Sequence, residues 1–253
     1  MRVAVSDYDG TLNIEHKVSP ETIDAIAAWR KAGNVFGIAT GRDLSLTLHE
    51  TGYWHIPFDF LICVNGAILY DAKLNVLQSV SIPDALTKAL LHHPSSFEST
   101  HYQMSSDGLS RVYIRNARSI FNNIKAPFEK ISLEEALQQN NLQQLSLGYA
   151  TEDEHERFCG SLISAFKDYL SFNKNSLTVD INYQGINKLS GILDLIKIKE
   201  WPAEGLLTIG DNHNDVSMIR HFNGFAVNNS LSEVVEAAAK VYGNVGEMLS
   251  DHM

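Results

Sequence analysis

Cysteine is scarce in this chain: Cys63 and Cys159 stand far apart, in no C-x-x-C or metal-ligand spacing. A disulfide framework and a structural zinc centre are thereby excluded, which fits a reducing compartment. Each thiol is read as a small buried hydrophobe. Positive charge is short as well. Twenty Lys and Arg against thirty Asp and Glu give a formal net charge of −10, the opposite of the clustered basic footprint that nucleic acid requires. An anionic substrate passes this test, because a bound cation reverses the local field. No apolar run approaches the roughly 18 residues needed to cross a bilayer, and the N-terminus reaches Asp7 after one arginine, with no signal-peptide pattern. Repeats and low-complexity segments are missing too. Ten histidines, His92-His93 included, match no zinc spacing and are read as surface or capping residues. The expectation is a soluble cytoplasmic protein with neither membrane nor nucleic-acid partner. Its 253 residues suffice for one large domain or two modest ones.

What the chain does have is concentrated at its start. Val3-Ala4-Val5-Ser6 reads as a buried parallel strand, and it runs into Asp7-Tyr8-Asp9-Gly10-Thr11. Two carboxylates one residue apart therefore sit at the carboxyl edge of a strand, where open α/β sheets bind ligands. An aspartate there can attack an electrophilic phosphorus, and its neighbour two positions on can handle a proton. The same letters also suit a plain turn, so other segments must decide.

Those segments repeat the pattern. Ser19 predicts a helix cap, with Pro20 at the first position and Gly33 as the stop. Val35–Ala39 is the next buried strand, ending at Thr40-Gly41-Arg42; Asp43 to about Gly52 is helical. Phe60–Val64 is a third strand, ending at Asn65-Gly66. This β-α-β-α-β alternation implies a parallel sheet. The rhythm then changes: Ile68 to Ile82 reads as hairpin material, and from about residue 83 to 183 the strands are more polar and alternating, such as Arg111–Arg115, Leu145–Tyr149 and Leu177–Ile181. Helices are expected near 84–92, 132–139 and 152–167. Lys188–Lys199 then reads as a helix, Leu206–Ile209 as a buried strand ending at Gly210-Asp211-Asn212-His213-Asn214-Asp215. Phe225–Val227 and a helix over Glu233–Ala239 complete the sheet. The fold class is α/β, a Rossmann-like parallel sheet core with an inserted α+β cap. The expected division is a discontinuous core, 1–82 plus 184–253, and a cap, 83–183.

Strand ends thus carry Asp7 and Asp9, Thr40, and Asp211 with Asp215, while Lys188 opens a helix. Phosphoryl transfer needs a nucleophile, a neutralising cation, donors for the phosphoryl oxygens and an acid for the leaving oxygen. Asp7 and Asp211 can offer Mg2+ two carboxylates and Asp9 a main-chain carbonyl, with the Thr40 hydroxyl and the Lys188 ammonium gripping the transferring group. Without the cation the aspartates would repel one another and a phosphate alike.

This set resembles the haloacid dehalogenase superfamily of phosphatases, four of whose motifs stand here in order: Asp7–Thr11, Thr40 within Ile38–Arg42, Lys188 after Gly185-Ile186-Asn187, and Gly210–Asp215. Thr40-Gly41-Arg42, Asn65-Gly66 and the roughly 100-residue insertion resemble the Cof-type subfamily, IIB, with a large α/β cap. The resemblance implies Asp7 as nucleophile and Asp9 as general acid and later base. It places Mg2+ on Asp7, the Asp9 carbonyl and Asp211, with Asp215 supporting the metal through water or holding Lys188. Thr40, Gly41 and Lys188 would bind the phosphoryl group, and Asn214 the metal or the phosphate. Tyr8 and Asn187 depart from the family's usual residues. The implied function is a Mg2+-dependent phosphatase for small phosphorylated metabolites such as sugar phosphates, as monomer or homodimer.

Two other functions share these residues: a sugar phosphomutase and, from a different class, a non-enzymatic aspartate phosphoacceptor switch, which the cap-sized insertion disfavours. Arg42 has two readings, substrate phosphate or a core-domain acid. His213 is read as a solvated loop residue and Met218 as core. His101, Arg111, Arg115 and Tyr183 are either leaving-group contacts or parts of a salt-bridged sheet face.

Overall fold

Four buried residues, Val3–Ser6, form β1. The first third of the chain continues with α1 (Pro20–Lys31), β2 (Val35–Ala39), α2 (Leu44–Trp54), β3 (Phe60–Cys63), β4 (Ile68–Asp71) and β5 (Val76–Ser79). Next come α3 (Asp84–Leu91), α4 (Pro94–Phe97), β6 (His101–Ser106), β7 (Leu109–Ile114), β8 (Glu129–Lys130) and α5 (Leu133–Leu137). The middle closes with β9 (Gln144–Gly148), α6 (Glu152–Phe166), β10 (Leu170–Asn175) and β11 (Thr178–Tyr183). Last are α7 (Lys188–Lys199), β12 (Leu207–Gly210), α8 (Val216–Phe222), β13 (Phe225–Val227), α9 (Ser232–Ala237), β14 (Lys240–Tyr242) and α10 (Val245–Asp251). The computed structural model describes all of residues 1–253.

Contacts divide the chain into two units. The first comprises Met1–Gly41, Glu50–Gln78 and Asn187–Met253; the second comprises Arg42–His49 and Ser79–Ile186. The breaks fall a few residues outside those expected, at Gln78/Ser79 and Ile186/Asn187. Arg42–His49 groups with the second unit because the Ser45 N–H donates to the Gly108 carbonyl at 3.0 Å and Asp43 accepts from Ser105 at 3.5 Å.

In the first unit the strand order is β14-β13-β12-β1-β2-β3-β4-β5. The pairs from β14 to β3 are parallel, as the alternating pattern requires. β4 is antiparallel to β3, so the sheet is mixed at one edge. β14 extends the other edge beyond β13; Lys240 and Val241 are exposed there, so the strand carries no buried apolar run in the sequence. The chain leaves β1 toward β2 and later returns to place β12 on its other side, so the carboxyl end of β1 lies at the reversal of strand order, where such sheets bind ligands. The core joins Val3, Val5, Phe60, Ile62, Ile192, Leu195, Met218 and Ile219; Met218 is therefore packing. Ser19 caps α1, its side chain accepting from the Thr22 N–H at 3.1 Å, and Gly33 follows the helix at φ +84°.

The second unit is a sheet in the order β10-β11-β9-β6-β7-β8. One face carries Tyr102, Met104, Leu145, Leu147, Val179 and Ile181, packed with Leu90, Leu91, Ala136 and Leu162 from α3, α5 and α6. Cross-strand pairing puts Gln103, Ser146, Asp180 and Asn173 in one row on the opposite face. Both cysteines are free and buried, and no helix is long and apolar enough to cross a membrane.

His101 opens β6 almost fully buried, its Nδ1 within 3.1 Å of the Thr100 and Ser119 hydroxyls, and its Nε2 has no partner. Burial pushes its pKa down from 6.5 to about 4. Above 6.5 the ring is neutral in both the folded and the unfolded chain. As pH falls toward 4 the unfolded chain takes up a proton that the fold refuses, and about 3 kcal/mol of stability is lost. His101→Gln should flatten the fall in melting temperature across that window relative to wild type; parallel acid profiles by circular dichroism would reject it.

Candidate active site

Asp7 is the first residue beyond β1, held at the edge of the sheet by its N–H, which donates to the Ile209 carbonyl of β12 at 3.0 Å. Its side chain is buried beside Lys188, the first residue of α7. Asn187 caps that helix, its side chain accepting from the Ser190 N–H at 2.9 Å while the Ser190 hydroxyl accepts from the Asn187 N–H. The unusual residue before the lysine is therefore the cap that starts the helix and aims Lys188.

Lys188 Nζ donates to Asp7 Oδ1 at 2.5 Å and to Asp215 Oδ1 at 2.7 Å, and all three side chains are buried. Asp215 Oδ2 accepts from the backbone N–H groups of Asp211 and Asn212, both at 3.0 Å. Both Asp215 oxygens are thus spent on protein donors, which suits holding Lys188 and shaping the loop better than direct metal ligation. Any side chain at Gly210 would overlap the Asp215 carboxylate. Asp211 Oδ1 accepts from the Thr11 hydroxyl at 2.6 Å. Gly10, at φ +83°, lies so close to the Asp211 carboxylate that only glycine fits there.

Carboxylate oxygens of Asp7, Asp211 and Asp215 lie within 4.8 Å of one another. Three carboxylates face one ammonium, so the cluster is short of positive charge. The direction in which each group's pKa is pushed follows from this. Burial, with Asp215, Asp211 and Asp9 adding to it against Lys188, pushes Asp7 well above the usual carboxylate range. Burial also raises Asp211, despite the hydrogen bond from Thr11. For Lys188 burial acts downward, but Asp215 and Asp7 outweigh it and hold the ammonium above its ordinary pKa. A hard divalent cation fits this oxygen-rich, anion-heavy donor set.

Thr40, fully buried, is the first residue beyond β2; its N–H donates to the Ile62 carbonyl at 2.8 Å and its carbonyl accepts from the Asn65 N–H at 2.9 Å. Asn214 Nδ2 donates to Asn65 Oδ1 at 3.2 Å. The first unit thus brings together Asp7, Lys188, Asp211 and Asp215, and links Thr40 to Asn214 through Asn65; Gly41 follows Thr40. Asp9 is exposed, beyond the buried cluster. Tyr8, buried between the two aspartates, donates its hydroxyl to Glu50 Oε2 at 3.0 Å, so the ring anchors the loop that carries both.

The sequence motifs give Thr11 no role and Asn65 none beyond a strand-end turn; for Asn65, a polar residue just past the buried strand β3 is the available signal. Of the residues with two readings, His213 is solvent-exposed and pairs with Glu233 at 2.9 Å. Arg111 pairs with Glu129 at 3.0 Å, and His101 is buried within the second unit, as is the side of β7 that Val112 occupies. Tyr183 is partly exposed at the end of β11, Arg115 lies over the Phe97 ring at 6.0 Å, and Arg42 groups with the second unit.

The family model of haloacid dehalogenase-like hydrolases matches residues 4–247. The chain is 26% identical over 245 residues to the 5-amino-6-(5-phospho-D-ribitylamino)uracil phosphatase of Bacillus subtilis, covering 94% of this chain and 88% of that one. It is 26% identical over 264 residues to the pyridoxal phosphate phosphatase of Escherichia coli, covering 99% and 95%. Its fold superimposes on a sugar phosphatase of haloacid dehalogenase subclass IIB with a TM-score of 0.79, at 24% identity, over 98% of this chain and 95% of that one.

Proposed function

This chain belongs to the haloacid dehalogenase-like hydrolase family, and from that premise we propose that it is a Mg2+-dependent phosphatase for small phosphorylated metabolites, acting through an aspartyl-phosphate. The observation that carries the reading is the buried Asp7–Lys188–Asp215 array beside Asp211 at the carboxyl end of β1. The second unit is taken as the cap. The relatives' ribityl, pyridoxal and sugar phosphates support a ring- or polyol-bearing phosphomonoester as substrate.

Asp7, the Asp9 carbonyl and Asp211 would hold Mg2+, which when bound neutralises the phosphoryl oxygens. Lys188 holds Asp7 Oδ1, leaving Oδ2 to attack phosphorus as the ester P–O bond breaks. The ammonium is kept protonated by its two carboxylates, so Lys188 is a fixed cation and not the proton donor. That duty falls to Asp9, exposed and two residues on, which gives its proton to the leaving oxygen. Asp9 then takes a proton from water as the water oxygen attacks the acyl phosphate, releasing phosphate and restoring Asp7. Thr40, Gly41, Lys188 and Asn214 would bind the phosphoryl oxygens.

The test is hydrolysis of 4-nitrophenyl phosphate and acetyl phosphate by the purified protein. With Mg2+ turnover is expected, and EDTA should lower it by roughly 10²-fold or more. Asp9→Asn should accumulate phosphoenzyme visible by intact mass. Absence of metal-dependent turnover across a broad panel of phosphate esters would refute the reading.

A further inference from the structure

After β3 the backbone makes three successive residues with positive φ: Val64 at 49°, Asn65 at 56° and Gly66 at 104°. A β-branched residue in that region is a genuine outlier, and outliers persist where their surroundings over-determine them. Here they do. The Asn65 N–H donates to the Thr40 carbonyl at 2.9 Å, and its Oδ1 accepts from Asn214 Nδ2 at 3.2 Å. Gly66 lies against the backbone of Asn187 and Gly191, too close for any side chain, so the turn also abuts the helix start that carries Lys188. Glycine would serve the backbone at position 65 equally well. Asparagine tolerates the same φ and adds an acceptor.

We infer that Asn65 is a positioning residue, fixing the Asn214 carboxamide so that its second Nδ2 hydrogen is presented to a phosphoryl oxygen. The inference rests on the reading of Asn214 as a phosphate ligand given above. An amide turned the other way would aim its carbonyl at the phosphate and repel it. Because Asn65 Oδ1 takes one Nδ2 hydrogen, the donor end is selected and held.

Asn65→Gly keeps the left-handed turn and removes only the side chain. The KM for 4-nitrophenyl phosphate and the inhibition constant of inorganic phosphate should both rise about five- to tenfold, the value of one hydrogen bond. kcat should stay within about threefold. In an Asn214→Ala background, adding Asn65→Gly should move neither constant further. If the glycine variant does not fold, Asn65→Ala runs the same cycle. Equal effects of the residue-65 change in both backgrounds would overturn the inference. So would a lower melting temperature with KM and the phosphate constant unmoved, the mark of a structural role alone. Failure of the parent reading looks different: wild type itself would show neither Mg2+-dependent turnover nor phosphate inhibition, and both ideas would fall together.

Discussion

Asp7→Asn is expected to lower kcat by at least about 10⁴-fold, while the metal-free protein melts no lower than wild type and in fact a few degrees higher. Both halves follow from one geometry. The amide matches the carboxylate in shape, and its oxygen can still accept from Lys188 Nζ, which keeps its partner Asp215 at 2.7 Å. A neutral amide oxygen, however, does not attack phosphorus. The stability gain comes from charge. Burial and three neighbouring carboxylates raise the Asp7 pKa against the pull of Lys188, so ionised Asp7 is held at a cost in the folded state. A carboxylate with a raised folded pKa subtracts stability above its unfolded pKa, and removing the charge restores it. In a chain of this size each 1 kcal/mol moves the melting temperature by about 2–4 °C. Calorimetry in EDTA and a turnover assay in Mg2+ check the two halves separately. A variant that keeps most of its activity would move the nucleophile elsewhere. One that melts far lower would mean that the Lys188 contact outweighs the repulsion.

The strands that frame this chemistry were legible because they are buried on both faces and therefore read as unbroken apolar runs. β2, β13 and α7 fall on the residues expected of them, and β1 needed only the burial of Val3–Ser6. The cluster was legible for a related reason: Asp7 and Asp211 directly follow the buried strands β1 and β12, and Asp215 lies one short turn beyond Asp211. What escaped depends on conformation more than on residue type. Nothing in Val64-Asn65-Gly66 announces three left-handed residues in a row, because valine is a poor candidate for that region and only its surroundings force it there. At about 1–3 kcal/mol for such a residue, the strain is sustained by contacts to Thr40, Asn187 and Asn214 that lie far away in sequence. β14 escaped because Lys240 and Val241 are exposed at the sheet edge and leave no buried apolar run, unlike the equally short β13; α10 is a short terminal helix of seven residues. Ile68 to Ile82 reads from sequence as hairpin material, and β4 and β5 lie there; what periodicity leaves unmarked is that β4 turns back antiparallel to β3.

Lys188→Met should cost the metal-free protein about 3–5 kcal/mol, on the order of 10 °C in melting temperature, and lower kcat/KM by roughly 10²–10³-fold. Methionine fills most of the same volume without strain, so the loss is electrostatic. Asp7 and Asp215 stay buried with the ammonium removed from between them, and Asp211 adds a third carboxylate within 4.8 Å. Because the lysine pKa lies above its ordinary 10.5, its contribution is fully present below that value and fades only as pH rises through the folded pKa. The deficit of the variant therefore comes from loss of a full charge throughout the neutral range, modulated only by protonation of the carboxylates left behind. Mg2+ should raise the melting temperature of Lys188→Met more than that of wild type, since the cluster left behind is more anionic. Lys188→Arg should not rescue turnover: Nζ sits 2.5 Å from Asp7 Oδ1 and 2.7 Å from Asp215 Oδ1 among buried side chains, and a planar guanidinium does not reproduce that single-point contact. Retention of near-wild-type stability by the methionine variant, with an unchanged response to Mg2+, would show that the cluster is balanced by some other charge and would unseat Lys188 from its place at the centre of the site.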